Sequence, residues 1–173
     1  CTYVDGIIVS ASIDQDFLTE QHQYPVERIG LIPQAPPPIY QLTPTPIFSK
    51  DKLNKILFIG SQFSKGISIV AQVINDLSER DSEFNFTWIC NKDELEKCKN
   101  LIESKALKNV HFPDWLPQEE LINLYDTHGF LLTPSFFEGF SKAFLEGMSR
   151  EQIVISTPVG GMKDIIKHKL ETK

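Results

Sequence analysis

The chain has 173 residues, of which 41% are hydrophobic and 23% charged, so it is long enough to bury a core and its composition excludes wholesale disorder. The formal net charge of −6 disfavours non-specific binding to nucleic acid, which needs a basic surface. An acidic chain can still carry a local positive site for a phosphate-bearing small molecule. No apolar run approaches the roughly 18 residues that a membrane-spanning helix needs.

Cysteine and histidine give no sign of a metal centre. The three cysteines, Cys1, Cys90 and Cys98, form no C-x-x-C pair, which argues against a zinc site and against a disulfide framework. The four histidines are scattered and none lies at ligand spacing to another histidine or to cysteine. We therefore assign no metal-binding residue, and unpaired thiols favour a cytoplasmic protein.

The first part of the chain alternates between extended and helical patterns. Residues 6–10 form a short apolar run that predicts a buried strand. A helix is predicted to follow, with Ser12 as its N-cap and Gln15 completing a capping box. Residues 28–33 predict a second extended segment.

A proline-rich stretch comes next and divides the chain. Residues 33–46 contain six of the eleven prolines, and proline removes backbone donors and fixes φ. We therefore predict an extended linker over residues 33–49 rather than a helix or a central strand. This linker would separate residues 1–32, the end of one domain, from residues 50–173, a second domain.

After the linker, apolar runs typical of buried strands alternate with the 3.6-residue period of amphipathic helices. The predicted strands cover residues 55–60, 84–90, 110–112, 130–133 and 153–156. The predicted helices cover residues 67–80, 92–104, 117–125, 140–148 and 162–167. This order predicts an α/β fold with a Rossmann-like parallel sheet and helices on both faces. Ligands of such sheets bind beyond the carboxyl ends of the strands, in the loops that follow them.

The loop after the predicted strand 130–133 carries the most chemistry. Glu138 lies just before a predicted helix, and Glu146 lies about two turns inside it. The helix start leaves backbone N–H groups near Gly139 to Lys142 without intrahelical partners, and the helix dipole favours a phosphate there. An anion site beside two carboxylates suits a nucleotide sugar. The spacing alone also fits a plain helix start, because the dipole favours Glu138 and glutamate is common inside helices.

The surrounding sequence decides between these interpretations. The run P-S-F-F-E-G-F at residues 134–140, its helix ending in glutamate, and I-V-I-S-T-P-V-G-G at residues 153–161 closely resemble the E-x7-E region of family 4 glycosyltransferases. These are the retaining, group 1 glycosyl transferases of GT-B fold. Ser-Lys-Gly at residues 64–66 resembles the Lys-Gly loop of the family, and residues 5–10 resemble the last strand of its N-terminal domain.

The resemblance implies the C-terminal, donor-binding half of a GT-B enzyme that transfers a hexose or related sugar. It implies that Glu138 binds hydroxyls of the transferred sugar, that Lys65 neutralises the diphosphate leaving group, and that Glu146 holds the ribose. Backbone groups that would meet the donor are those of Gly139, Phe140, Ser141 and Lys142. It also implies retaining transfer with no required metal and no cofactor beyond the nucleotide-diphosphate sugar itself, since basic side chains and helix dipoles stabilise the phosphate charge.

One departure keeps a second function open. The family commonly has arginine after the glycine that closes the first strand of this domain, and this chain has Ser61. A cation for the diphosphate is thus missing, although Lys142 could compensate. The alternative is a non-catalytic module that binds a nucleotide sugar or a protein partner.

The partners follow from the same resemblance. We expect a nucleotide-sugar donor, an acceptor that is a glycan, a lipid or a protein, and no nucleic acid. We expect a cytoplasmic location, and peripheral association with the cytoplasmic face of a membrane through a missing N-terminal half stays open. Because residues 1–32 are too short for an acceptor domain, we expect a fragment that does not transfer sugar alone.

Overall fold

The computed structural model describes residues 4–44, 49–80 and 83–166. Residues 45–48 of the predicted linker and residue 167 of the last predicted helix lie outside these ranges. The chain divides into two compact units. The first comprises Cys1–Ala35, Phe137–Lys142 and Pro158–Lys173, and the second comprises Pro36–Phe136 and Ala143–Thr157.

Strands and helices alternate along nearly the whole chain, joined in places by short 3-10 turns. In chain order they are β1 Ile7–Val9, α1 Ser12–His22, β2 Ile29–Leu31, α2 Pro38–Leu42, β3 Lys55–Ile59, α3 Ile67–Arg80, β4 Asn85–Ile89, α4 Leu95–Lys99, β5 Val110–His111, α5 Gln118–Thr127, β6 Phe130–Thr133, α6 Lys142–Ser149, β7 Ile153–Ser156 and α7 Met162–Ile165.

The first unit contains a two-stranded parallel sheet, in which Ile7 of β1 lies opposite Ile29 of β2. The Asp164 carboxylate of α7 accepts from the backbone N–H of Ser12 at 2.9 Å and from its hydroxyl. The predicted capping box at Ser12 is therefore wrong. Ala11 is the N-cap residue of α1, and the Ser12 hydroxyl bonds to Asp164 instead of to the helix.

The second unit contains a five-stranded sheet in the order β5-β4-β3-β6-β7, with every neighbouring pair parallel. Leu57 of the central strand lies opposite Thr87 on one side and Leu131 on the other. The predicted α/β class with a parallel sheet is confirmed.

Side chains of β3 alternate between two cores on the two faces of this sheet. Phe58 packs in the core that includes Ile74 of α3 and Cys98 of α4. Leu57 packs in the other core, with Tyr40 of α2 and Tyr125 of α5. Because successive residues of a strand point to opposite faces, helices cover the sheet on both sides, as predicted.

The predicted extended linker is wrong at α2, because a short helix forms inside the proline-rich stretch. Pro37 is its N-cap residue and Pro38 occupies its first turn. A proline there loses no helical hydrogen bond, since the first N–H groups of a helix have no intrahelical acceptor. Tyr40 is fully buried, so apolar packing holds this segment on the second unit.

Arg150 secures the end of that helix. Its guanidinium donates to the backbone oxygens of Thr43 at 2.7 Å and Pro44 at 2.8 Å. It also forms a bidentate pair with Asp126, at 2.7 and 2.8 Å. Only 2% of Arg150 is exposed, so this is a buried ion pair whose remaining donors meet carbonyls that end a helix.

Two other predicted helices have different bounds. The helix predicted over residues 92–104 spans only Leu95–Lys99, and after it the backbone N–H groups of Leu101 and Ile102 bond to oxygens three residues back, as in a 3-10 turn. The helix predicted to begin at residue 140 begins at Lys142. This second difference bears on the site, because Gly139 to Ser141 then precede the helix.

Candidate functional site

Lys65 lies at the carboxyl edge of the five-stranded sheet, in the turn that follows β3. A Cβ added to Gly60 would lie 3.0 Å from Cγ of Lys65, so the aliphatic stem of Lys65 rests on the backbone where the strand ends. The turn closes at Gly66, whose φ of 77° lies in the left-handed region. A Cβ there would approach the carbonyl oxygen of Pro134 to 2.1 Å, which only glycine avoids.

The loop after β6 therefore packs directly on this turn. The backbone N–H of Phe136 donates to the backbone oxygen of Ser64 at 2.8 Å. The Thr157 hydroxyl, just beyond β7, donates to the backbone oxygen of Ser135. The segments that follow β3, β6 and β7 thus meet at the sheet edge where parallel α/β sheets bind ligands.

A second cation lies beside the position where the family commonly has arginine. Nζ of Lys97, in α4, lies 3.5 Å from the backbone oxygen of Ser61 and 3.1 Å from the Glu94 carboxylate. A hydrogen bond from the Ser61 side chain, and next the bond from Lys97, hold the pKa of Glu94 below its ordinary value. Sequence reasoning missed Lys97, because it lies 36 residues from Ser61 and in a helix with no motif.

Glu138 to Ser141 rest on the Gly160–Met162 turn within the first unit. The backbone N–H of Gly161 donates to the Gly139 oxygen at 2.8 Å. Gly160 has a φ of 53°, and a Cβ there would lie 2.0 Å from the backbone oxygen of Glu138. These two close approaches explain why a Val-Gly-Gly run accompanies the glutamate-containing loop.

One of the backbone N–H groups that are predicted to meet the donor has a partner within the protein. The buried N–H of Ser141 donates to Sδ of Met162 at 3.4 Å, so it points at a neighbouring side chain. Gly139 is exposed, and a Cβ added there would meet no atom of the described residues within 4 Å. The described part of the fold does not itself require glycine at this position, and open space lies beside this backbone.

Glu146 lies inside the second unit, on α6, and only 7% of it is exposed. The Tyr125 hydroxyl donates to its Oε2 at 2.9 Å. Burial first, and next the Glu146 carboxylate, raise the pKa of Tyr125 well above its ordinary value and also raise that of Tyr40. Both tyrosines therefore stay protonated, and Tyr125 acts as a donor that holds the carboxylate in one orientation.

The predicted residues are thus distributed over both compact units. Lys65 and Glu146 belong to the second unit, whereas Glu138 and Gly139 to Lys142 belong to the first. The convergence of Glu138, Glu146 and Lys65 on one cleft stays a prediction. Within residues 4–44, 49–80 and 83–166, no helix combines the length and the apolar character needed to cross a membrane.

Two curated proteins are similar to this chain in sequence. An uncharacterized glycosyltransferase of Methanocaldococcus jannaschii is 28% identical over 121 residues, covering 69% of this chain and 33% of that protein. The D-inositol 3-phosphate glycosyltransferase of Corynebacterium efficiens is 29% identical over 115 residues, covering 62% of this chain and 27% of that enzyme. The matches thus span only about a third of the length of these relatives.

Solved structures share the fold. A mutant of S. aureus TarM, in complex with Fondaparinux, alpha-GlcNAc-glycerol and UDP, matches 96% of this chain and 33% of its own, with a TM-score of 0.78 and 19% identity. The pneumococcal O-GlcNAc transferase GtfA, in complex with UDP and GlcNAc, matches 95% of this chain and 32% of its own, with a TM-score of 0.73 and 20% identity. The predicted similarity to part of a GT-B structure is confirmed.

A family profile agrees with the motifs and with the fold. The profile described as glycosyl transferases group 1 matches residues 43–172, which include the Lys-Gly turn, both glutamates of the E-x7-E pattern and the Val-Gly-Gly run. On this match, the chain belongs to the group 1 glycosyl transferases.

Proposed function

We propose that this chain is the donor-binding part of a retaining glycosyltransferase and that it binds a nucleotide-diphosphate sugar. The observation that carries the proposal is the position of Lys65. Its stem lies on Gly60 at the carboxyl edge of the sheet, in a turn that packs on the loop leading to Glu138. A cation held at this edge can neutralise the charge that develops on a diphosphate leaving group.

Lys97 supplies the second cation for the diphosphate in this proposal. It replaces the missing arginine in function, because Nζ lies 3.5 Å from the backbone oxygen of the residue at that position, Ser61. Glu94 offsets part of its charge in the free protein. Lysine presents a mobile point charge rather than a planar fork, so it can turn from Glu94 towards a more strongly charged diphosphate.

Glu146 would accept from the ribose hydroxyls. The Tyr125 hydroxyl supports this role, because it holds Oε2 at 2.9 Å and so fixes the carboxylate plane. Glu138 would accept from hydroxyls of the transferred sugar. The open space beside Gly139, one residue further on, supports a close approach of the donor to this backbone.

Transfer itself would require an acceptor-binding half in addition to these residues. The matches span only about a third of the curated relatives, and orientation of two reactants accounts for roughly 7–11 kcal/mol of a barrier. We therefore expect the 173-residue chain to bind donor without transferring sugar. Donor turnover by this chain, measured with one acceptor extract beside a form of the protein that also carries an acceptor-binding half, tests this. Comparable transfer by both would contradict it.

A non-catalytic nucleotide-sugar-binding module is the competing function, and Ser61 favours it because the usual arginine is absent. Donor turnover by a form of the protein that also carries an acceptor-binding half discriminates between the enzyme and the module. Turnover that Lys65→Met reduces by a hundredfold or more, an effect of about 2.7 kcal/mol, supports the enzyme. Tight donor binding with no turnover of any donor supports the module.

Binding is tested by titrating the chain with UDP, GDP and ADP sugars while following its thermal unfolding. A ligand at 100 times its Kd stabilises the native state by about 2.7 kcal/mol, which corresponds to roughly 5–10 °C in Tm. Lys65→Met keeps the stem on Gly60 and removes the charge, so we expect about tenfold weaker binding. Lys99→Met, which removes the charge of a half-buried lysine paired with Glu96, is the matched control. Equal affinities of the two variants would refute the role of Lys65.

A further inference from the structure

The amino-terminal edge of the five-stranded sheet carries a hollow of about 490 Å³, a size typical of small-molecule sites. Lys55, the first residue of β3, lines it together with Lys108 and His111. Lys65 follows the other end of the same strand. Five strand residues span on the order of 16 Å, so this hollow is separate from the proposed diphosphate site.

The lining is basic although the whole chain is acidic. Two lysines and two histidines line the hollow and no aspartate or glutamate does, whereas the chain has a net charge of −6. In the part of the chain that the structure describes, neither Lys55 nor Lys108 pairs with a carboxylate.

His128 forms a buried wall of the hollow and has a defined tautomer. Its Nδ1 lies 2.7 Å from the backbone oxygen of Leu124, so Nδ1 carries the proton and donates. Its Nε2 therefore accepts from the Thr87 hydroxyl, at 2.8 Å. Burial lowers the pKa of His128, the hydrogen bond to the Leu124 oxygen raises it in part, and the charge of Lys55 lowers it further. A hydrogen-bonded ring thus lies in the wall of a hollow that two lysines and no carboxylate line.

We propose that this hollow is a second binding site, which takes the phosphate group of a small phosphorylated molecule. A phosphate dianion would accept hydrogen bonds from Lys55, Lys108 and His111, and the two ammonium groups would attract its charge. His128 and Thr87 shape the wall and keep it free of acidic groups. The site does not depend on the donor-binding function proposed above, because it uses other residues at the opposite edge of the sheet.

Inorganic phosphate is the probe, titrated into the whole chain at one fixed pH and constant ionic strength. The imidazole proton signals of His111 and His128 report on the hollow, and those of His22, in α1 of the other unit, serve as an internal control. We expect saturable shifts at His111 and His128 only, with phosphate and with a sugar phosphate but not with chloride. Shifts that never saturate, or that are equal at His22, would overturn the proposal.

Two substitutions localise the binding. Lys55→Gln and Lys108→Gln should each weaken phosphate binding about tenfold, the loss expected for a charge-assisted hydrogen bond. Lys99→Gln removes one charge elsewhere on the unit and should leave the affinity unchanged. Lys108 is exposed, so its variant keeps the test valid if Lys55→Gln impairs folding. Affinity for the nucleotide-sugar donor should stay unchanged in Lys108→Gln, which separates failure of this site from failure of the donor site. Equal phosphate affinities in Lys108→Gln and Lys99→Gln would refute the proposal.

Discussion

Replacement of Arg150 by methionine should destabilise the chain more than an ordinary surface substitution does. Arg150 is 2% exposed, and its guanidinium bonds to both carboxylate oxygens of Asp126 and to the backbone oxygens of Thr43 and Pro44. Methionine replaces the volume of the stem and leaves Asp126 without its partner. Removing one member of a buried ion pair costs about 3–5 kcal/mol, because the remaining charge stays desolvated.

The expected loss is measured by urea unfolding followed through tryptophan fluorescence. Trp88 is fully buried in the second unit and reports on its core. A loss of about 3–5 kcal/mol corresponds to a fall in Tm of roughly 6–20 °C for a chain of this length. Arg150 also holds the carbonyls of Thr43 and Pro44, which follow α2, so limited proteolysis at these two residues should become faster in the variant.

Asp126 provides the control for this reasoning. The double variant Arg150→Met with Asp126→Leu removes both charges, and replacing a buried pair by apolar residues is often close to neutral. It should therefore be more stable than Arg150→Met alone. A loss below about 1 kcal/mol in Arg150→Met, or no recovery in the double variant, would show that the ion pair does not hold this segment.

The remaining predictions concern the proposed donor site. Glu146→Ala should weaken the binding of both the nucleoside diphosphate and the intact nucleotide sugar about tenfold or more. Glu138→Ala should weaken the binding of the intact nucleotide sugar only. The reason is that each carboxylate–hydroxyl bond contributes about 1.5–3 kcal/mol. Equal losses for both ligands in both variants, measured by calorimetry, would contradict these roles. Lys97→Met should weaken the binding of the nucleoside diphosphate about three- to tenfold and reduce the salt dependence of that binding, with Lys99→Met as the control. An unchanged affinity in Lys97→Met would exclude Lys97 as the second cation.

Much of the fold could be predicted because it depends on residues that are neighbours in sequence. The apolar run that forms β3 and the helical period of α3 each lie within one short stretch, and their alternation predicts a parallel sheet. Because these patterns involve only sequence neighbours, they do not determine where a helix or strand ends when a distant residue takes part. Ser12 has the sequence of a helix cap, yet its hydroxyl bonds to Asp164, 152 residues away.

The proline-rich stretch shows a different limit. Proline disfavours helix interiors but fits the first turn, so the same residues permit a linker or a short helix such as α2. The choice depends on burial of Tyr40 beside Tyr125 and on the donors of Arg150, more than 100 residues further along the chain. No pattern within the stretch contains that information.

The candidate site also contains residues that the sequence could predict and residues that it could not. Glu138, Glu146 and Lys65 could be named from the motif that surrounds each of them, because a motif is a local arrangement of residue types. Lys97 and the basic hollow could not, because strand order determines which distant residues meet. The order β5-β4-β3-β6-β7 brings the starts of β3, β4 and β5 together, and with them Lys55 and His111. Side-chain convergence of this kind is a property of packing, which a linear pattern of polar and apolar residues leaves open.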